Sequence, residues 1–254
     1  MKKSGIKNLD INIFSSRQAM GDAAGKDVES EIISLLRSKK EIRMIFAAAP
    51  SQNEMLSYLA QSKNIEWDRI TAFNMDEYLG LAAEAPQLFS AFLKEHLFDK
   101  IRLKNLHLIN GLSNAEIESE HFSYLISKEP IDIVCLGIGE NGHIAFNDPH
   151  TADFYDPRII KRVELDNLCR SQQVSDGSFA SINDVPIEAL TLTIPVLMSA
   201  KKLFCVVPGQ NKRKAVYNTI NGPVSTTCPA SILQKHPDCR FYFDEGSFNN
   251  NLRF

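Results

Sequence analysis

The run Ile131-Asp-Ile-Val-Cys-Leu136 leads straight into Gly137-Ile-Gly-Glu-Asn-Gly-His-Ile-Ala-Phe-Asn-Asp-Pro149, and this junction decides how the chain reads. The apolar run predicts a buried strand. Three glycines then free the backbone for a tight turn, and His143 stands at its far end. Open α/β sheets place ligands beyond the carboxyl ends of their strands, so the segment reads as a site rather than as packing. Gly137, Gly139 and Gly142 also satisfy the dinucleotide fingerprint G-x-G-x-x-G. That fingerprint needs a helix opening at its third glycine, and Asn147-Asp-Pro149 interrupts one within a turn or two. The next strand-like run, Arg158 to Leu165, comes too soon for a crossover helix. A nucleotide cofactor is not expected.

Outward from this junction, apolar runs alternate with amphipathic ones. Helical spacing over 15–39 (Ala24, Val28, Ile32, Leu35, Leu36) is followed by a strand at 42–49 and a helix at 52–62. A strand at 69–75, a helix at 86–98, a short strand at 106–109 and a helix near 114–127 complete the first half. Beyond the junction, polar residues dominate 169–184, a segment that reads equally as a lid or a surface loop. The pattern resumes with strands at 190–194 and 203–207, a helix at 210–219 and a strand at 240–243. The alternation predicts one α/β domain over 1–254, Rossmann-like, with a mostly parallel sheet and helices on both faces.

Composition narrows the partners. With 44% apolar residues, 23% charged residues and a net charge of −3, there is no basic surplus for nucleic acid or an acidic membrane. Five cysteines without C-x-x-C spacing, three of them (Cys135, Cys205, Cys239) inside apolar runs, argue against a disulfide framework and a zinc site. Met1-Lys-Lys is followed by Ser-Gly-Ile-Lys-Asn rather than by an apolar run, and no stretch approaches membrane-spanning length. A cytoplasmic protein is expected.

Asn74-Met-Asp-Glu-Tyr78 ends a strand as the junction does, so Asp76 and His143 are expected to share one cleft. A carboxylate near a histidine offers an acid and a base, although an Asp-Glu pair after a strand also serves as a helix cap. Asp148 is a short-range partner for the imidazole. A metal held by His143, Asp148 and His150 would lack a recognised ligand spacing, and none is expected. Two strand-to-helix turns could take an anion. Pro208-Gly-Gln-Asn-Lys212 brings backbone N–H groups and an ammonium together. In Ala49-Pro-Ser-Gln-Asn-Glu54, Ser51 and Glu54 predict a capping box, and Glu54 would repel a phosphate.

These pieces resemble the glucosamine-6-phosphate deaminase (isomerase) family, in the wider group that includes 6-phosphogluconolactonases. The resemblance is carried by Phe73-Asn-Met-Asp-Glu-Tyr78, Gly137 to Pro149 and Val185-Pro-x-x-Ala-Leu-Thr191. The Gly209…Lys212 turn and Leu233-x-x-His-Pro237 extend it. Lactonases usually show Asp-Glu-Arg and Asp-Gly-His-Thr-Ala-Ser at the first two motifs, so Tyr78 and Ile144-Ala-Phe-Asn147 fall on the deaminase side. The resemblance implies a small sugar-phosphate substrate, glucosamine- or galactosamine-6-phosphate, which opens its ring, isomerises to the ketose and loses ammonia. It implies no metal and no organic cofactor, and it admits a homo-oligomer.

By the same resemblance Asp76 matches the base that moves a proton from C2 to C1. His143 matches the residue that assists ring opening, with Asn141 and Asp148 as its partners. Lys212 matches a phosphate-binding lysine. Ser51, Gln52, Glu77, Gly139 and Gly142 fall at substrate-binding positions, and Arg170 competes with Gln172 and Gln173 for a phosphate-binding arginine. Three departures stand out: Ala49-Pro50-Ser51-Gln52 replaces the usual Thr-Gly-Gly-Thr loop, Asp148 replaces Glu, and Asn141 replaces Asp. Arg158 and Lys161 match allosteric positions only in part, and allostery is not expected. The alternatives are a sugar-phosphate-binding protein without catalysis and a lactonase.

Overall fold

Strands in which every residue is buried run through the middle of the computed structural model, which describes residues 2–4 and 9–248. Residues 1 and 5–8, part of the stretch from Met1 to Asn8 quoted above, lie outside the described residues. The first half contains β1 (Lys2–Ser4), β2 (Asp10–Phe14), α1 (Arg17–Leu36), β3 (Ile42–Phe46), α2 (Asn53–Gln61), β4 (Ile70–Asn74), β5 (Asp76–Tyr78) and α3 (Phe89–His96). It continues with β6 (Asn105–His107), α4 (Ala115–Ser127) and β7 (Ile133–Leu136). The second half holds β8 (Ile160–Glu164), α5 (Asn167–Ser175), β9 (Glu188–Leu192), α6 (Ile194–Met198), β10 (Lys202–Val207), α7 (Arg213–Asn221) and β11 (Cys239–Asp244).

Eight strands form the main sheet in the order β1-β2-β11-β10-β7-β3-β4-β6, and every neighbouring pair except β1–β2 is parallel. Side chains alternate across a strand, and the two cores follow that period. Ile133 and Cys135 of β7 join Phe204 and Val206 of β10 on the face covered by α1, α2 and α3. Val134 and Leu136 join Leu203, Cys205 and Val207 on the face covered by α4, α6 and α7. A sheet buried on both faces explains why these runs are continuously apolar. Among the described residues, no helix is long and apolar enough to cross a membrane.

The runs at 158–165 and 190–194 correct the picture of one sheet. They form β8 and β9 of a separate antiparallel sheet, β5-β9-β8. The short link from the glycine turn to β8 leaves no room for a crossover helix, so the chain pairs antiparallel instead. Tyr78, Phe146 and Phe179 fill its inner side, with Tyr78 ring centroids 5.4 Å from Phe146 and 5.5 Å from Phe179.

α5 is the second correction, a helix inside the polar stretch. Asp166 caps it by accepting from the Cys169 N–H at 2.6 Å. Its buried residues are Cys169, Gln172 and Gln173, so polar side chains take inward places and leave no apolar periodicity. The third concerns Glu54, which builds no capping box with Ser51. The Ser51 hydroxyl accepts from Gln52 Nε2 at 2.9 Å, while Glu54 pairs with Arg17 at 2.7 Å. Gly21 makes that pair feasible. A Cβ there would lie far inside contact distance of the Glu54 Cβ, so only glycine lets α1 settle against α2.

Candidate active site

Parallel strands deliver their following loops to one edge, and there the loops after β3, β4, β7 and β10 surround a cavity of about 480 Å³. Asp76, His143 and Lys212 all line it, with Ala49, Pro50 and Ser51 on a third side. Further lining comes from Gln172 and Gln173 of α5, from Asp176 just after it, and from Phe89 and Phe92 of α3. This is the geometry expected of a small-molecule site: a concave, mixed-polarity pocket with a few polar groups converging.

Asp76 opens β5, directly after Met75, and its backbone carbonyl accepts from Asn74 Nδ2 at 2.9 Å. The side chain is buried, and among the described residues no donor reaches its carboxylate. Burial, with the Glu77 carboxylate next in line, pushes the Asp76 carboxyl well above the usual range. A carboxyl held this way binds its proton more firmly than an exposed one does. Glu77 points the other way and does not line the cavity. Its carboxylate accepts from the backbone N–H groups of Tyr78, Phe89 and Ser90 at 3.0, 3.0 and 2.8 Å, tying the start of α3 to β5. Burial raises its carboxyl despite those donors.

His143 packs flat on Gly139: a Cβ at 139 would overlap the imidazole ring. The Gly139 N–H donates to the His143 carbonyl at 2.9 Å, and the His143 N–H donates to Asn141 Oδ1 at 2.9 Å. Gly142 supplies the φ of +88° that closes this turn. Nδ1 of His143 stands 2.9 Å from Oδ1 of Asp148, at an angle short of a well-aligned hydrogen bond. Such contacts tighten when a ligand arrives. Asn141 Nδ2 donates to the same oxygen at 2.8 Å. Burial alone would raise the Asp148 carboxyl, but His143 and Asn141 beside it hold it below the usual range. An ionised Asp148 keeps the proton on Nδ1 and leaves Nε2 as the nitrogen free to act on a ligand.

Lys212 sits in the turn that opens α7, and burial pulls its ammonium below the usual lysine range while Asp176 and Glu140 act against that. Among the described residues no carboxylate pairs with it directly, which leaves the cation for a ligand. Gln52 is fully buried away from the cavity, donating from Nε2 to Ser51 Oγ and to the Val206 carbonyl at 3.1 Å. It braces the 49–52 turn against β10.

Arg170 also turns away. Its guanidinium donates to the carbonyls of Ile182 and Val185 at 2.6 and 3.0 Å, and Gln172 and Gln173 of the same helix face the cavity instead. The structure therefore overturns Arg170 as a cavity residue. Two cavity residues that the sequence reading missed are Arg17 and Asp176. Ser16 before Arg17 was the available signal, since it caps α1 by accepting from the Ala19 N–H.

Two groups bring possible metal ligands within 4.8 Å of one another: His143, Asp148 and Cys169, and Asp148, His150 and Asp166. Both depend on Asp148, whose Oδ1 is already engaged by Asn141 and His143. Burial also pushes the Cys169 thiol well up, away from the thiolate a metal needs.

The family described as glucosamine-6-phosphate isomerases/6-phosphogluconolactonase matches residues 15–241. A glucosamine-6-phosphate deaminase of Listeria monocytogenes serotype 4a (strain HCC23) is 36% identical over 222 residues, 87% of this chain and 93% of that protein. A solved monomeric glucosamine-6-phosphate deaminase superposes with a TM-score of 0.85 at 26% identity, covering 94% of this chain and 98% of that one. A 6-phosphogluconolactonase from Thermotoga maritima shares the fold, with a TM-score of 0.76 at 18% identity over 92% of this chain and 98% of that one. The cavity motifs and these matches agree, and the chain belongs to the glucosamine-6-phosphate isomerase/6-phosphogluconolactonase family.

Proposed function

We propose that the protein is an enzyme that converts a 2-amino-2-deoxyhexose 6-phosphate, glucosamine-6-phosphate or its galacto epimer, to the ketose 6-phosphate and ammonia. The observation that carries the reading is the convergence on one cavity of an unpaired buried carboxylate (Asp76), a carboxylate-oriented imidazole (His143) and an unpaired ammonium (Lys212). Each answers to one demand of the reaction.

Ring opening needs a proton removed from the anomeric hydroxyl and one returned to the ring oxygen. His143 Nε2 suits that exchange, with Asp148 steadying the imidazolium formed between the two steps. Isomerisation needs the C2 proton taken and a proton placed on C1. Asp76, as the carboxylate, takes the first to give an enolamine and returns it to C1, leaving an imine at C2. Water then adds to that carbon, and the carbinolamine expels ammonia. Lys212 holds the phosphate, helped by the hydroxyl of Ser51, which lines the same cavity.

The cytoplasm is the compartment proposed, since five buried thiols without a disulfide suit a reducing environment. Light scattering would decide between a monomer and a homo-oligomer.

The test is ammonia release with glucosamine-6-phosphate and galactosamine-6-phosphate in parallel, the ketose product being identified by mass. Release from either supports the reaction, and the ratio gives the epimer preference. Release from neither, with intact binding of both, would move the assignment to a binding protein.

A further inference from the structure

The cavity holds two cationic side chains besides the imidazole, and only Lys212 has a role so far. Arg17, in the first turn of α1, lines the same cavity. Its guanidinium is fixed at two points: Nε donates to Glu54 Oε1 at 2.7 Å, and Nη2 donates to the Pro50 carbonyl. Among the described residues Nη1 has no partner. An arginine gripped through Nε and one Nη2 hydrogen presents its remaining N–H groups as a planar edge, the geometry that matches phosphate oxygens.

Two neighbours, Glu54 and Pro50, aim that edge. Arg17 lines the cavity and Glu54 does not, so the ion pair is a dipole with its positive end inward. Pro50, which receives Nη2, belongs to the same turn as Ser51. That turn is braced to the end of β10 through Gln52 Nε2 and the Val206 carbonyl, and Lys212 follows β10 by one short turn. Arg17, Ser51 and Lys212 all line the cavity and are carried on three segments tied together through the 49–52 turn. A dianionic ligand needs more than the single ammonium there. Glu54 raises the opposite objection, a carboxylate beside an anion site, and Arg17 removes it by neutralising that charge.

We propose that Arg17 is the second phosphate-binding cation of this site, clamping the 6-phosphate together with Lys212 and Ser51 across the Ala49-Pro50-Ser51-Gln52 turn. The inference rests on the sugar-phosphate reading above and assigns part of its specificity to the start of α1. Gly21 belongs to the device, because it lets Glu54 come close enough to hold Arg17 in place.

The test uses the full-length protein with inorganic phosphate by calorimetry, and with the amino-sugar phosphates by ammonia release. Arg17→Ala is expected to weaken phosphate binding about 10- to 100-fold and to raise KM by a similar factor, with kcat within about threefold. Arg17→Lys should recover part of the loss, because it keeps the charge and loses the fork. Thermal melting checks that each variant is folded, and Arg17→Gln serves if alanine unsettles α1. Unchanged phosphate affinity in a folded Arg17 variant, or no phosphate binding by the parent protein, overturns the proposal. Arg17-dependent phosphate binding without ammonia from either sugar would sink the proposed reaction and leave this inference standing.

Discussion

A methyl group on Gly139 would occupy the space of the His143 imidazole. The ring is thus positioned from below by the absence of a side chain and from the side by Asp148. Gly139→Ala must push the imidazole off that carboxylate while the rest of the turn stays hydrogen-bonded. We expect kcat to fall roughly 100-fold or more with little change in KM, since misplacement of about 1 Å costs that much. A variant with normal kcat would show that ring placement is not critical.

Replacing Asp76 with Asn should abolish turnover and also stabilise the protein. The Asp76 carboxyl has a folded pKa raised by burial, so its stability contribution is greatest in acid and is lost as pH rises through the window above the unfolded value. Asn carries no such penalty. A gain of about 1 kcal/mol at neutral pH, or roughly 2–4 °C in Tm, is expected, and it should vanish in acid. The same raised pKa places the acid limb of kcat/KM above the ordinary carboxylate range. A limb near pH 4 would argue against Asp76 as the base.

Asp148 carries the opposite sign. Its folded pKa is depressed, so its contribution is present at neutral pH and is lost as pH falls through that folded value. Asp148→Asn removes the charge that selects the Nδ1–H tautomer of His143. A loss in kcat of roughly 10²–10⁴-fold is expected, as for other histidines deprived of a carboxylate partner. The stability difference between the two proteins should shrink as pH falls through the depressed folded value. Melting curves across pH, set beside steady-state rates, check both parts.

Glu77→Ala should damage the fold more than the chemistry. Three backbone N–H groups lose their acceptor, and α3 loses its tie to β5. The expected cost is about 2–4 kcal/mol, with a Tm lowered by roughly 5–15 °C. An unchanged Tm would mean that other acceptors or water satisfy those groups.

The parallel core was legible because strands buried on both faces must be apolar throughout, and Ile133–Leu136 and Lys202–Val207 are nearly so. The second sheet was not, because β5 is three residues long and pairing direction leaves no trace in composition. α5 stayed hidden since its inward residues include two glutamines. In the cavity, residues inside long motifs were easy to propose, whereas Arg17 stands more than thirty positions before the turn it touches. Arg170 misled for the converse reason: the segment held an arginine, and nothing in the sequence fixed its direction.

Asp76 begins a strand of the three-stranded sheet, opposite Thr191, while His143 rides on a loop of the eight-stranded one. Their spacing thus depends in part on how two layers dock, through contacts such as the Phe146 N–H on Thr191 Oγ1 at 3.0 Å. Warming that loosens this seam would separate acid from base while both sheets stay intact. Heat inactivation should then run ahead of global unfolding, and a cross-link between the layers would widen the working temperature range without touching a reacting group.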